Sequence, residues 1–252
     1  MRRKFRTYTG GCGQVVIKNN MKEDAQDSSK MSDSSFMETF IERQKPPQEA
    51  IDYFLSTSWL KNYIQDPGYK IIPTFSRHLK SSGEDYYFSR TINTEQTIPH
   101  FISLQCRNFI TPELSTSASG SRELPSHTMK TVVPEQPDCL VLISLGKQGL
   151  DGHPSTIHGG VTCAILDETM GLLVMLHDNN IRGPGPRDSL YTANLNVSYR
   201  APIPTPGDIL VKTWLVSRQG RKWHSKGQIV DKSGNLLAEA DGLWVTARRQ
   251  KL

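Results

Sequence analysis

The sequence predicts an α+β fold in which a curved antiparallel β-sheet wraps one long central helix, preceded by a helical extension. Three observations carry this. The stretch HGGVTCAILDETMG, His158 to Gly171, opens an apolar run that puts Val161, Cys163, Ile165, Leu166, Met170 and the block 172–176 on every side of a helix. Such a helix cannot lie on a sheet with one flank in water, so it has to be wrapped or sandwiched. A continuous apolar run of strand length, CLVLISLG (139–146), precedes it. Four strand-like runs follow: SLYTANLNVSY, ILVKTWLVS, KWHSKGQIV and LLAEADGLWVTA. The connections TPGD, RQGR and KSGN are turn chemistry and too short for a helical crossover, so the four strands are expected as an antiparallel meander.

In chain order, residues 1–48 read as a flexible basic and polar leader, 49–97 as a helical and extended N-terminal addition, and 98–252 as the wrapped domain. The first 22 residues contain no Asp or Glu and carry Arg and hydroxyl side chains. That is the character of a mitochondrial presequence or of a disordered basic tail. Residues 22–48 are Ser-rich and close on QKPPQ, where Pro46 and Pro47 can start a helix. Ile51, Phe54, Leu55, Trp59, Leu60, Tyr63 and Ile64 recur at helical spacing, which predicts one amphipathic helix stopped by DPG at 66–68. YYFSRTI (86–92) and IPHFISLQC (98–106) lean towards β-structure. STSASGS (115–121) reads as a mobile loop.

An apolar fraction of 36% is low for 252 residues, as expected of one domain with additions that do not all join a core. The formal net charge of +5 is spread along the chain without a base-reading motif, so no nucleic-acid partner is expected. Cys12, Cys106, Cys139 and Cys163 form no CxxC pair and read as reduced, mostly buried thiols of a cytoplasmic or mitochondrial protein. No run of 18 unbroken apolar residues is present, so a soluble chain with no membrane span is expected. The spacing of His153, His158 and Cys163 fits no zinc pattern, and no metal site is expected. No GxSxG elbow appears.

A helix buried all round should reject ionised side chains, so Asp167 and Glu168 need a reason to be there. Successive helical residues point about 100° apart, so the two acids cannot serve one partner and only one of them is expected to be chemical. Gly159 and Gly160 stand at the helix start, where backbone N–H groups lack acceptors and the helix dipole is positive. Such a terminus suits an oxygen that becomes negative in acyl transfer, and glycine lets a substrate approach closely. Asp167 lies roughly 12 Å further along the axis, at about 1.5 Å per residue, so one molecule cannot bring both groups to one carbonyl. A second copy with its helix antiparallel to the first can, which predicts a homodimer or a dimer of dimers.

Together, HGGVTCAILDETMG and YTANLNVSYRAPIPTPGD resemble the hotdog-fold acyl-CoA thioesterases of the phenylacetate and carboxyl-terminal-modulator type, over roughly residues 98 to 248. The resemblance implies hydrolysis of acyl-CoA to free acid and CoA, with no cofactor, the coenzyme A thioester being the substrate. It implies that the Gly159 amide polarises the thioester carbonyl, that Asp167 of the partner subunit is base or nucleophile, and that Thr192 positions water or carboxylate. His158 would hold the turn, and Gly160 would line the substrate's approach. Relatives often carry a polar residue such as Asn six places before the HGG histidine; here Gly152 stands there, and His153 is the candidate substitute. Arg200, and Arg218, Arg221 and Lys222 of the RQGRKW hairpin, are candidates for the phosphates of coenzyme A. By strict alternation Thr192, Asn194 and Asn196 share one strand face. The alternative reading is a non-catalytic acyl-CoA-binding or regulatory hotdog protein.

Overall fold

The computed structural model describes residues 36–80, 82–113, 134–182 and 188–247. The basic opening and the 115–121 loop lie outside them. Four helices are described: α1 (Phe36–Arg43), α2 (Gln48–Ser56), α3 (Lys61–Gln65) and α4 (Gly159–Ile181). The strands are β1 (Tyr69–Ile72), β2 (His100–Cys106), β3 (Cys139–Leu145), β4 (Asp151–His153), β5 (Thr156–Ile157), β6 (Leu190–Tyr199), β7 (Gly207–Gln219), β8 (Lys222–Val230) and β9 (Leu236–Thr246). Seven of them form one sheet in the order β1-β2-β3-β7-β8-β9-β6, and β4 pairs with β5 in a separate hairpin at the entrance to α4. Every neighbouring pair is antiparallel.

The 23-residue α4 lies across the sheet against β6 to β9. By length and composition it is apolar enough to cross a bilayer, but here its apolar surface is taken up by the fold: Ile165, Leu166, Met170, Leu173 and Val174 are all fully buried. Two glycines let the helix come close. A Cβ on Gly227 would lie 2.8 Å from Met170 Sδ, and one on Gly242 would lie 3.1 Å from Met170 Cε and 2.1 Å from the Trp244 ring. Met170 therefore sits in a notch that any side chain on either strand would fill. On its outer side α4 is covered by α1 and by Phe40, Phe75, Phe88 and Ile92, which belong to the same core. This is the hotdog arrangement, a sheet curled round a central helix.

A second core occupies the opposite face of the sheet. Ala50, Phe54 and Leu60 of the α2–α3 region pack on Ile102, Leu104, Leu140, Leu142, Leu210 and Val230. Because β2 and β3 are covered on both faces, they are buried at nearly every position and show no alternation. Tyr53 secures the layer, donating to Asp208 Oδ1 (3.0 Å) and accepting from Ser144 Oγ (3.1 Å).

Several expectations give way here. The strands after α4 are not a single meander: β7, β8 and β9 are, but β6 pairs with β9 and β3 takes the place beside β7. The segment 200–206, RAPIPTP, causes this, because Pro202, Pro204 and Pro206 keep the chain extended and cannot close a hairpin. It crosses the end of the sheet instead, held by Ile157 N→Ile203 O (3.0 Å) and Thr205 N→Ser155 O (3.1 Å).

The helix expected over 51–64 is two. The Ser56 and Thr57 hydroxyls both turn back to the Tyr53 carbonyl (2.6 and 3.3 Å), competing with the backbone ladder, and the chain bends before α3. Residues Tyr87–Thr91 form a π-helical turn, closed by Ile92 N→Tyr87 O at 3.0 Å, and not a strand. Arg77 donates to the carbonyls of Phe88 (3.1 Å), Ile92 (3.4 Å) and Ile98 (2.8 Å), which gathers this segment into a knot that an extended chain could not make. Helix α1 lies in the stretch expected to be flexible, and β1 joins the main sheet through β2.

Glu168 accounts for the second acid. It faces the segment that carries Ser76, Lys80 and Asp85, and burial pushes its carboxyl up to about 7; Asp85 and Asp167 add to the shift, while Ser76 and Lys80 oppose it. A carboxyl raised in this way holds a proton in the fold that the unfolded chain has already released. The penalty is absent below the ordinary carboxylate range, accrues as pH rises through it, and is complete above about 7. Glu168→Gln should therefore match wild type in stability near pH 4 and exceed it by roughly 1–3 kcal/mol at pH 8. Thermal melts across that range check this, and a pH-independent difference would contradict it.

Candidate active site

The site begins at the entrance to α4. His158 is the N-cap, and its Nδ1 accepts from Gly160 N at 2.9 Å, which places any neutral-ring proton on Nε2. Its own amide donates to Leu150 O (2.7 Å), and its carbonyl accepts from Val161 N (2.9 Å) and Thr162 N (3.1 Å). Among the first-turn donors, Gly160, Val161 and Thr162 are thus engaged. The Gly159 N–H has no acceptor among the described residues, so it is the donor left for a ligand.

Tyr199, the last residue of β6, closes over the same turn. Its hydroxyl donates to Gly159 O at 2.9 Å and lies 2.9 Å from Cys163 Sγ. A Cβ on Gly159 would meet the phenol at 3.3 Å, so any larger residue would have to push the ring back by a few tenths of an ångström. A cavity of about 370 Å³ opens here, with Gly159, Thr162, Tyr199 and Arg200 on its walls and the crossing residues Ala201 to Ile203 on the far side.

Two turns further along α4, Asp167 accepts from Thr192 Oγ1 at 2.7 Å. A β-bulge makes this possible. Thr192 pairs with Trp244 and Asn194 with Leu243, leaving Ala193 as the extra residue. Counting by alternation put Thr192 on the face of Asn194 and Asn196. The bulge shifts the parity instead, so Thr192 shares the helix-facing side with Leu195, Val197 and Tyr199, which pair with Gly242, Ala240 and Ala238. The Asn side chains fall on the other face.

Other candidates separate from this centre. Gly160 spends its amide on His158. His153 is exposed on β4, and it is Gly152 that supports the histidine: a Cβ there would lie 3.0 Å from both Cα and Cδ2 of His158, so the backbone itself forms the seat. Arg200 lines the cavity but is bound to Glu239 Oε1 (2.6 and 3.0 Å). Arg221 donates to Thr246 O (2.9 Å), and Arg218 stacks on Trp223 with 4.7 Å to the ring centroid. Both hairpin arginines, with Lys222, lie level with the start of β6 and away from Gly159 of the same protomer. Cys163, expected as a core thiol, is half-buried against Tyr199. Sequence reading missed Tyr199, because its place on the inward face follows only from the bulge. Among the described residues no cluster of three or more His, Cys, Asp or Glu side chains could hold a metal ion.

Gly152→Asn, which introduces the residue type that the resemblance implies at this place, should clash with His158 here. A loss of roughly 1–3 kcal/mol in unfolding free energy is expected, measured by denaturant titration; an unchanged midpoint would contradict the seat.

Comparison with known proteins follows the same lines. The sequence model of the thioesterase superfamily matches residues 155–238. The chain is 28% identical over 220 residues to verlamelin biosynthesis protein B of a Lecanicillium species, covering 79% of this chain and 88% of that one. It is 31% identical over 83 residues to the acyl-coenzyme A thioesterase THEM4 of Rattus norvegicus, covering 33% of this chain but only 32% of that one. A solved structure described as a thioesterase superfamily protein is 25% identical and covers 42% of this chain and 51% of that chain, with a TM-score of 0.36.

Proposed function

We propose that this chain, whose residues 155–238 match the sequence model of the thioesterase superfamily, hydrolyses acyl-CoA thioesters to the free acid and CoA at a centre shared by two copies. The observation that carries the reading is the split on α4: one unclaimed amide at Gly159, and a carboxylate at Asp167 oriented by Thr192. Roughly 12 Å of helix separates them, so a single protomer cannot apply both to one carbonyl.

The edge strand β6 supports the pairing. It ends the sheet, so its outer rim of N–H and C=O groups has no neighbouring strand among the described residues, and Tyr191 and Tyr199 are exposed at its two ends. Strand rims of this kind invite a second strand. Antiparallel pairing of β6 with its copy about a twofold axis brings the Asp167–Thr192 end of one chain to the Gly159–Tyr199 end of the other. The same operation carries the Arg221 hairpin of one chain towards the partner's cavity, where Arg200 already stands. The site then takes the phosphates of coenzyme A as the resemblance implies.

In the reaction the thioester oxygen takes the Gly159 N–H as negative charge builds on it. Asp167 either removes a proton from water as that water attacks, or attacks the carbonyl itself to give a mixed anhydride that water then opens. In both routes the thiolate of CoA leaves and is protonated. The compartment is the cytoplasm or the mitochondrion, since an acid-free, Arg-bearing stretch is equally the character of a basic tail and of a presequence.

A panel of acyl-CoA substrates with a thiol-detecting dye tests the reading, and a chain that binds them and releases no CoA overturns it in favour of a binding protein. Asp167→Asn should lower kcat by about 10²–10⁴-fold with the fold intact. Thr192→Val, which keeps the shape and loses the hydroxyl, should lower kcat about tenfold with a stability change near 1 kcal/mol. Single turnovers in ¹⁸O water identify the anhydride route when label enters the Asp167 carboxylate, which requires water to open the anhydride at the aspartyl carbon.

A further inference from the structure

Tyr199 is used by neither the fold nor the chemistry described so far. It is 55% exposed, so little apolar burial depends on it. Its hydroxyl bonds the Gly159 carbonyl, which as the first carbonyl of an α-helix already has the amide four residues on as its ordinary acceptor–donor partner. The bond therefore rescues no stranded backbone group.

Its effect is on the aim of a peptide plane. The link between residues 159 and 160 is gripped at both ends, Tyr199 on its oxygen at 2.9 Å and the His158 imidazole on its N–H at 2.9 Å. The preceding link, between 158 and 159, has its oxygen held by the amides of Val161 and Thr162. With three of the four polar groups of these two links engaged, the direction of the fourth, the Gly159 N–H, is set. The Gly159 N–H shares its amide with the His158 oxygen, so it is the donations from Val161 and Thr162 that polarise and strengthen it, while Tyr199 fixes the peptide on the other side of the Gly159 Cα.

The protons account for the roles at Tyr199. Its single O–H goes to Gly159 O, so the 2.9 Å contact with Cys163 is the thiol donating to the phenol oxygen. A phenol keeps its proton at neutral pH, so it stays a donor there.

We infer that Tyr199 is a positioning residue for the reaction proposed above: its hydroxyl, backed by the Cys163 thiol, locks the 159–160 peptide so that the Gly159 amide points into the cavity at the thioester oxygen. The inference rests on the hydrolase reading. It also makes the ring a wall of the entrance, in contact with whatever the amide binds.

The test uses the full chain and Tyr199→Phe, with an acyl-CoA that wild type turns over. A mis-aimed oxyanion donor should lower kcat by about 5- to 50-fold, less than the loss of the donor itself, while KM stays within about twofold. The melting temperature should move by less than about 5 °C, since one exposed hydrogen bond is lost. A ketone analogue of the acyl-CoA, with CH₂ in place of sulfur and ¹³C at the carbonyl, gives a second readout: its infrared stretch should shift down on binding to wild type and shift less in the variant. A merely structural tyrosine would not move that frequency at constant affinity.

Wild-type kcat with an unchanged carbonyl shift in Tyr199→Phe overturns the inference, as does a variant that fails to fold, because the hydroxyl would then be a determinant of the fold. A wild-type chain that binds the analogue and releases no CoA from the panel sinks the hydrolase reading instead, and the carbonyl shift still decides on Tyr199.

Discussion

Residue 159 has two demands placed on it at once: it must begin a helix that is enclosed on nearly every side, and it must leave one backbone donor unclaimed. The usual way to start a helix spends a side-chain oxygen on an amide of the first turn and leaves others to water. Here an imidazole does the capping, and it takes the Gly160 amide. The remaining amides of the turn close on the His158 carbonyl. Everything at the site follows from this allocation. If the cap were a serine or aspartate of different reach, another amide would be left over, and it would point elsewhere.

The sheet enforces the allocation from outside. Gly227 and Gly242 let Met170 settle against β8 and β9, which sets the depth of α4. Gly152 gives the histidine a seat made of backbone. The proline-bearing crossing at 200–206 forces β6 to the edge and at the same time builds the far wall of the cavity. The bulge at Ala193 then lets one strand face the helix with a threonine near its start and a tyrosine at its end, at the two places on α4 where chemistry is argued. Local irregularities, and not the regular ladder, place the site.

That is also why the sequence is readable in some places and opaque in others. The enclosed helix shows in apolar residues on all its sides, and the HGG in front of it marks the donor end. Strand existence is legible because strand-length apolar runs and turn residues are local signals. Strand neighbours are not: nothing near β6 says that its partner is β9, since that depends on where three prolines lead the chain. A bulge is a single extra residue without a compositional mark, so alternation assigned Thr192 to the wrong face and hid Tyr199 among ordinary strand aromatics. The aromatic run at 86–92 looks β-prone, but a half-buried arginine ten residues earlier collects its carbonyls into a π-turn. Glu168 is recognisable as anomalous, yet its reason lies in a segment about ninety residues upstream.

The outer layer of α2 and α3 carries a consequence for how the molecule is made. Its apolar residues Phe54 and Leu60 rest on strands as far along the chain as Leu210 and Val230. During synthesis these side chains leave the ribosome with only part of their cover, from Ile102 to Leu142, within reach, and the last of it follows roughly 150 residues behind. At about 5–20 residues per second that is an interval of order ten seconds or more. The nascent chain presents a partly covered amphipathic surface throughout, which makes the α2–α3 stretch a segment that a holding chaperone would grip.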